Sequence, residues 1–205
     1  MGKLDEIVWG IKVEDLFLGG LEFNGYKTPA SQVLLYRIYK ECISLSRREC
    51  EEEPKFKHVI PYCLLTSETN DIFVMQRTSN QTESRLHNKF SVGVGGHVGP
   101  ERYMTIRDSI YAGMLRELQE EVTGMENVGH PFDFTPKLVG MVNDEENPVG
   151  AVHLGLVYEL LVDPERMLSI SIKETENMTG KWLPYNEALK IEGYESWSAL
   201  ILGVQ

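Results

Sequence analysis

Apolar residues in this chain fall into short runs separated by polar and glycine-rich stretches, the pattern of alternating strands and helices. Residues 6–13 read as a strand of imperfect alternation. Thr28 and Pro29 open a predicted helix, with threonine as N-cap and proline at the first helical position. Val33, Leu34, Leu35, Ile38, Tyr39, Cys42, Ile43 and Leu45 give that helix a broad apolar face, which either packs on its own domain or meets a second copy of the chain. It ends in the charged stretch 47–53 before Pro54. Residues 58–65 and 71–77 read as neighbouring strands joined by the turn-rich 67–70. A third strand, 89–92, enters the run Gly93-Val94-Gly95-Gly96-His97-Val98. The helix after it carries Leu115, Leu118 and Val122 at i, i+3 and i+7, one apolar side. Residues 137–142 and 152–162 are expected as further strands and 181–184 as the last, before a helix over 185–190 and a terminal helix over 197–202. The order is that of an α/β chain with a mixed sheet. The 49–57 junction is the one plausible boundary, so a strand-and-helix extension over 1–55 is expected ahead of a domain over 56–205.

Composition acts mainly by exclusion. A chain of 205 residues builds one good core, and 42% hydrophobic with 25% charged residues are ordinary globular values. No run reaches the eighteen apolar residues of a membrane span, and the first residues lack the apolar segment of a secretory signal. Cys42, Cys50 and Cys63 are odd in number and match no metal spacing, so they read as free thiols in a reducing, cytoplasmic setting. A net charge of −11 argues against nucleic acid and anionic membrane as partners. It leaves room for a phosphorylated small molecule, because a bound cation inverts the local field.

The candidate chemistry sits in Arg116-Glu117-Leu118-Gln119-Glu120-Glu121. On a helix, Glu117, Glu120 and Glu121 stand at i, i+3 and i+4 and project from one face, where like charges repel by about 0.2–0.5 kcal/mol per pair. A hard divalent cation such as Mg²⁺ would relieve that repulsion and keep coordination positions for phosphate oxygens. Ahead of the glycine run, Arg77, Arg85, His87 and Lys89 form a positive cluster that either contacts substrate phosphates or solvates a long loop. His97 reads as a hydrogen-bonding residue at a strand end rather than as a base.

Glycine-rich strand end, connecting loop and acidic helix together resemble the Nudix hydrolase signature, G-x5-E-x7-R-E-U-x-E-E-x-G-U with U a bulky apolar residue. Arg116, Glu117, Leu118, Glu120 and Glu121 fall in register, followed by Gly124 and Met125. Val122-Thr123 holds one residue more than the pattern allows, and Gly96 to Arg116 spans twenty positions against fourteen, a six-residue insertion. The first acid of the pattern becomes Asp108 counted back from Arg116, with Ser109 as a plausible helix cap, or Glu101 counted forward from Gly96.

The resemblance implies a Nudix-type α/β/α sandwich around a central mixed sheet, covering about residues 56–205. It implies metal-dependent hydrolysis of a pyrophosphate bond in a nucleoside diphosphate-linked or related organic pyrophosphate, by in-line attack of a metal-activated water. Glu117, Glu120 and Glu121 become ligands of Mg²⁺ or Mn²⁺, Arg116 orients a ligand carboxylate, and Gly96 supplies a backbone carbonyl. The general base is one of these glutamates or Glu145 in the acidic loop Asp144-Glu145-Glu146; Glu159 is a buried partner or a further ligand. Arg77, Arg85 and Lys89 are the substrate-binding candidates. Tyr26, Phe90, Tyr103 and Trp182 are candidates to stack on a substrate base but are expected first in the core, and residues 99–107 at a substrate-facing loop. Two alternatives use the same fold: a nucleotide sensor without hydrolysis, disfavoured by retention of all three glutamates, and an isopentenyl diphosphate isomerase, whose catalytic cysteine only Cys63 could supply. A homodimer is possible in any of these readings.

Overall fold

β-Branched and aromatic runs become strands, and the stretches between them close into short helices. The computed structural model describes residues 3–78, 88–130 and 134–204. Its strands are β1 (Ile7–Lys12), β2 (Gly25–Lys27), β3 (Ile43–Ser46), β4 (Phe56–Ser67), β5 (Asp71–Arg77), β6 (Phe90–Ser91), β7 (Gly93–Gly95), β8 (Lys137–Asn143), β9 (His153–Val162) and β10 (Met178–Pro184). The helices are α1 (Val13–Leu16), α2 (Gln32–Glu41), α3 (Arg47–Glu52), α4 (Ile106–Glu121), α5 (Pro148–Ala151), α6 (Pro164–Met167), α7 (Tyr185–Ala188) and α8 (Ser196–Leu202). The class is mixed α/β, as expected, with the ten strands in one mixed sheet whose main path runs β10-β5-β4-β9-β8-β2. Among the described residues no helix is long and apolar enough to cross a membrane.

The chain divides into two compact units: Met1–Tyr62, Gly96–Met114 and Val139–Val157 in the first, Cys63–Gly95, Leu115–Leu138 and Tyr158–Gln205 in the second. In the first unit, β1 lies antiparallel between β3 (Ile7↔Ser46 to Gly10↔Ile43) and the start of β4 (Gly10↔His58 to Lys12↔Phe56), and β2 pairs with β8. Val8, Cys50 and Phe56 are buried together with Leu45 against them.

Two expectations for this region are corrected. The helix predicted from Thr28 starts at Gln32, because Ser31 provides the cap, its Oγ accepting from the Leu34 amide at 3.4 Å. It also stops at Glu41: Cys42 is extended, and Ile43 and Leu45 leave the helical stripe to pair with β1. Apolar residues that fit a helical period also fit a short strand, and the neighbouring edge of β1 decides between them. The charged stretch after it is a helix of its own, started by a capping box in which Ser46 Oγ accepts from the Glu49 amide and Glu49 accepts from the Ser46 amide at 3.0 Å.

The first half of α4 belongs to this unit and is seated by two contacts, on Val98 and on Trp9. A Cβ on Gly113 would lie 2.3 Å from Val98 Cγ1, so only glycine lets the helix approach that residue. Trp9 donates its indole N–H to Ser109 Oγ at 2.6 Å and its backbone N–H to the Val98 carbonyl at 2.8 Å. In the second unit, β10 pairs along β5 from Met178↔Arg77 to Pro184↔Asp71, and β5 also pairs with β6 and with the end of β4.

The acidic loop after β8 is built rather than free. Asp144 is buried, its carboxylate accepting from the Glu146 amide and from the Asn147 side chain. Glu145 Oε1 lies 2.8 Å from Nζ of Lys57, which is only 1% exposed and also donates to the Ala151 carbonyl at 2.8 Å. Burial pulls the Lys57 ammonium below its ordinary value, and Glu145 opposes that shift. Removing the carboxylate therefore leaves a buried cation short of its main partner. Glu145→Ala is expected to cost about 1–2 kcal/mol, less than a fully buried pair because Glu145 is half-exposed. Urea denaturation checks this. The double variant with Lys57→Met is expected to be no less stable than Glu145→Ala alone, and strict additivity of the two losses would contradict the pairing.

Candidate functional site

Helix α4 starts one turn earlier than the sequence suggests. Thr105, not Ser109, is the cap: its Oγ1 accepts from the Asp108 amide at 3.2 Å and donates to Asp108 Oδ2 at 2.7 Å, while the Ser109 amide bonds the Thr105 carbonyl. Ser109 sits inside the helix, fully buried, as the acceptor for Trp9. Asp108 thus has a helix-starting role. On the second half of α4, Leu118 is buried, and Val122 just beyond it is buried as expected.

The three motif glutamates face different surroundings. Glu120 is exposed and Glu117 mostly covered, with side chains 63% and 17% exposed. Arg116 Nη2 donates to Glu117 Oε1 at 2.9 Å, while its Nε lies 3.7 Å from Glu120 Oε1, an ion-pair distance longer than a hydrogen bond. Glu121 is half-buried. Burial first, then the Glu117 carboxylate one turn away, raise its pKa from 4.5 to about 7; Glu174 and Glu195 add to the rise and Arg77 opposes it. Arg77 Nε in turn lies 3.8 Å from Glu195 Oε2. Around Glu121 the carboxylates of Glu117, Glu174 and Glu195 outweigh the Arg77 guanidinium, while Arg116 engages Glu117 and Glu120. The hard-oxygen donor set of Glu117, Glu120 and Glu121 suits Mg²⁺ or Mn²⁺.

The end of α4 is fixed by a segment the sequence does not flag. Lys173 caps it, with its amide on the Glu121 carbonyl at 2.9 Å and its ammonium on the Gln119 carbonyl. Thr123 Oγ1 donates to the Ser169 carbonyl at 2.7 Å, and the Thr123 amide to the Ser171 carbonyl at 2.8 Å. Gly124 turns with φ +74, and a Cβ there would meet Ser169 Oγ at 2.7 Å. The additional residue of Val122-Thr123 is thus taken up in this docking, with Val122 forming a bridge to Ile172.

Other expected site residues are dispersed. Gly96, Asp108 and Glu145 belong to the first unit, and the motif glutamates to the second. Arg77 and Lys89 meet through their backbones, the Arg77 amide donating to the Lys89 carbonyl at 3.0 Å, and the Lys89 side chain is exposed. Arg85 and His87 lie outside the described residues. Glu159 accepts from Thr66 Oγ1 at 3.0 Å. Of the four aromatics expected in the core, Tyr26, Phe90 and Trp182 are partly buried, and Tyr103 is 91% exposed, with the Arg102 guanidinium over its ring. Trp182 packs on Phe73 and donates to the Met167 carbonyl. Glu174, Glu195 and Lys173 were missed because they come from distant stretches with no motif of their own. Cys63 is completely buried with its thiol pushed up by burial, the opposite of an activated nucleophile.

The chain is similar along its whole length to Protein YmaB of Bacillus subtilis (strain 168), with 32% identity over 211 aligned positions covering 100% of this chain and 99% of that protein. Its fold is similar to that of Tm1382, a candidate Nudix hydrolase, with a TM-score of 0.75 and 24% identity over 97% of each chain. The MutT protein from Methanosarcina mazei Go1 is more distant, with a TM-score of 0.47 and 20% identity over 68% of this chain and 85% of that one. No family model matches the chain.

Because the Glu121 pKa is raised on folding, its ionisation costs nothing below about pH 4.5 and costs progressively more as pH rises through about 7. Glu121→Gln is therefore expected to stabilise the metal-free protein at pH 8 by about 1–2 kcal/mol, allowing for partial exposure, with the gain vanishing near pH 4.5. Thermal melts across pH check this, and a variant less stable than the parent at pH 8 would contradict it.

Proposed function

The chain belongs to the family of Bacillus subtilis YmaB and has the Nudix hydrolase fold, and from that premise we propose that it hydrolyses a pyrophosphate bond in a small phosphorylated substrate, a nucleoside diphosphate derivative or related organic pyrophosphate. One observation carries this reading: the paired glutamates of α4 concentrate negative charge on a half-buried turn that is braced for a cation. Glu117, Glu120 and Glu121 are the proposed ligands. A divalent cation held by these carboxylates would supply Lewis-acid polarisation of phosphoryl oxygens and of the attacking water.

The chain's own residues do the rest. Arg116 holds Glu117 in position and pairs with Glu120, so Glu117 does not have to be ordered at the moment of reaction. Arg77 is proposed to turn from Glu195 to a substrate phosphate oxygen, for which a guanidinium is the better-matched donor set; Lys89 and Arg85 are proposed to add positive charge on the same approach. Glu145, the external candidate for the base, already engages Lys57 and accepts from Asn143 Nδ2 at 2.9 Å. The proposal therefore passes the proton of the attacking water to a motif glutamate. The isomerase alternative is weakened by the buried, protonated Cys63.

The test is phosphate release with Mg²⁺ or Mn²⁺ and a coupled phosphatase, across a panel of nucleoside diphosphate derivatives. At least one compound is expected to turn over only with metal. Glu117→Gln, Glu120→Gln and Glu121→Gln should each lower kcat/KM by about 100-fold or more, roughly 3 kcal/mol, in folded protein. Metal-independent turnover, or full activity in Glu121→Gln, would overturn the assignment.

A further inference from the structure

Three histidines separated in sequence converge in the first unit: His58 in β4, His97 just after β7 and His153 at the start of β9. One ring nitrogen from each lies within 4.8 Å of the other two. His58 and His153 are stacked, with centroids 4.6 Å apart and planes 15° from parallel. His97 stands edge-on to both, at 4.8 Å and 5.3 Å. We propose that His58, His97 and His153 form a binding site for a borderline divalent transition metal, Zn²⁺ foremost, separate in chemistry from the carboxylates of α4.

The protonation pattern points the same way. His153 Nδ1 lies 2.6 Å from the Val149 carbonyl, which can only accept, so this nitrogen carries the proton and Nε2 is left with a bare lone pair. A backbone carbonyl fixing the tautomer of a ligating imidazole is the usual outer-shell arrangement of a metal site. That lone pair accepts a hydrogen bond from His97 Nε2 at 3.2 Å, and a metal ion would take the place of the proton between them. Four-coordinate zinc with Zn–N of about 2.0–2.1 Å sets ligand nitrogens roughly 3.3–3.4 Å apart, so this pair already has the required spacing.

His58 supplies the independent sign. It is 0% exposed, and both its ring nitrogens are buried without a hydrogen-bond partner. Leaving a buried polar atom unpaired costs about 1–3 kcal/mol, so an imidazole with neither nitrogen engaged needs an explanation. A metal–nitrogen bond satisfies one of them, with a shift of the ring on the order of 1 Å to close the largest separation. The charges nearby do not forbid a cation. Arg47 faces the cluster, but its Nε is 2.7 Å from Glu51 and its Nη1 3.8 Å from Glu6, and Lys57 is turned to Glu145. Three imidazoles leave the fourth coordination position for water, and the all-nitrogen set favours Zn²⁺, Cu²⁺ or Ni²⁺ over Mg²⁺. Bound there, the ion would tie β4 and β9 to the residue that follows Gly96.

The test is competition titration of the full chain with Zn²⁺ against a chromophoric chelator, with Mg²⁺ in large excess to occupy carboxylates. One equivalent of Zn²⁺ is expected to bind despite the Mg²⁺ and to raise the melting temperature. His58→Asn and His153→Asn should weaken binding by about 100-fold or more, whereas Glu120→Gln should not. Co²⁺ bound to unmutated protein should give the intense visible spectrum of a four- or five-coordinate site, with hyperfine-shifted proton resonances from three imidazoles. That measurement decides the matter if a histidine variant fails to fold. Zinc binding that Mg²⁺ abolishes, undiminished binding in folded histidine variants, or Co²⁺ without imidazole resonances would each overturn the proposal.

Discussion

Glu117 and Glu121 stand one helical turn apart on a half-covered face of α4, and two carboxylates so placed cannot both ionise cheaply without a cation. Much of the second unit can be understood as holding that unfavourable arrangement in place. Arg116 bonds Glu117 and lies at ion-pair distance from Glu120. Lys173 closes the exposed carbonyls at the end of the helix, and Thr123 and Gly124 dock the chain onto the 169–171 stretch immediately afterwards. Local hydrogen bonds thus fix the helix end, so the glutamates stay where they are even though their mutual repulsion favours fraying. Under the proposed function, a divalent cation bound to this cluster would owe its affinity to that preorganisation.

Residues 1–55 lie in the first unit together with the first half of α4, and Trp9 bonds both Val98 and Ser109. Gly99 lies against the Ile7 carbonyl so closely that a Cβ would come within 2.1 Å of its oxygen. The glycine run is therefore followed at once by a segment clasped to β1. Beyond that clasp the chain opens to solvent: every residue from Pro100 to Thr105 is exposed, Tyr103 the most conspicuous of the large ones.

Local chemistry was the legible part. The R-E-x-x-E-E face, the apolar positions Leu118 and Val122 beneath it and the β5 strand could be placed from spacing alone, and the mixed α/β class followed from element order. Errors arose where two local rules competed. Thr28 and Pro29 make as good a helix start as Ser31, and Ile43 and Leu45 fit a helix until β1 is present to pair with them. Ser109 resembles a cap as well as Thr105 does, and the indole of Trp9, a hundred residues away, takes its hydroxyl. Contacts between distant stretches left no trace in the sequence: Lys57 with Glu145, Lys173 on the end of α4, and the three histidines, none of which lies within a recognisable metal-ligand spacing of another.

The most direct measurement is the titration of the Glu121 side-chain carboxyl by carbon NMR, first in metal-free protein and then with saturating Mg²⁺. The account predicts a midpoint near pH 7 without metal, moved well down into the acid range when the cation is bound. A midpoint near 4.5 that Mg²⁺ leaves unchanged would contradict it, because Glu121 would then ionise beside Glu117 without penalty and without help from a cation.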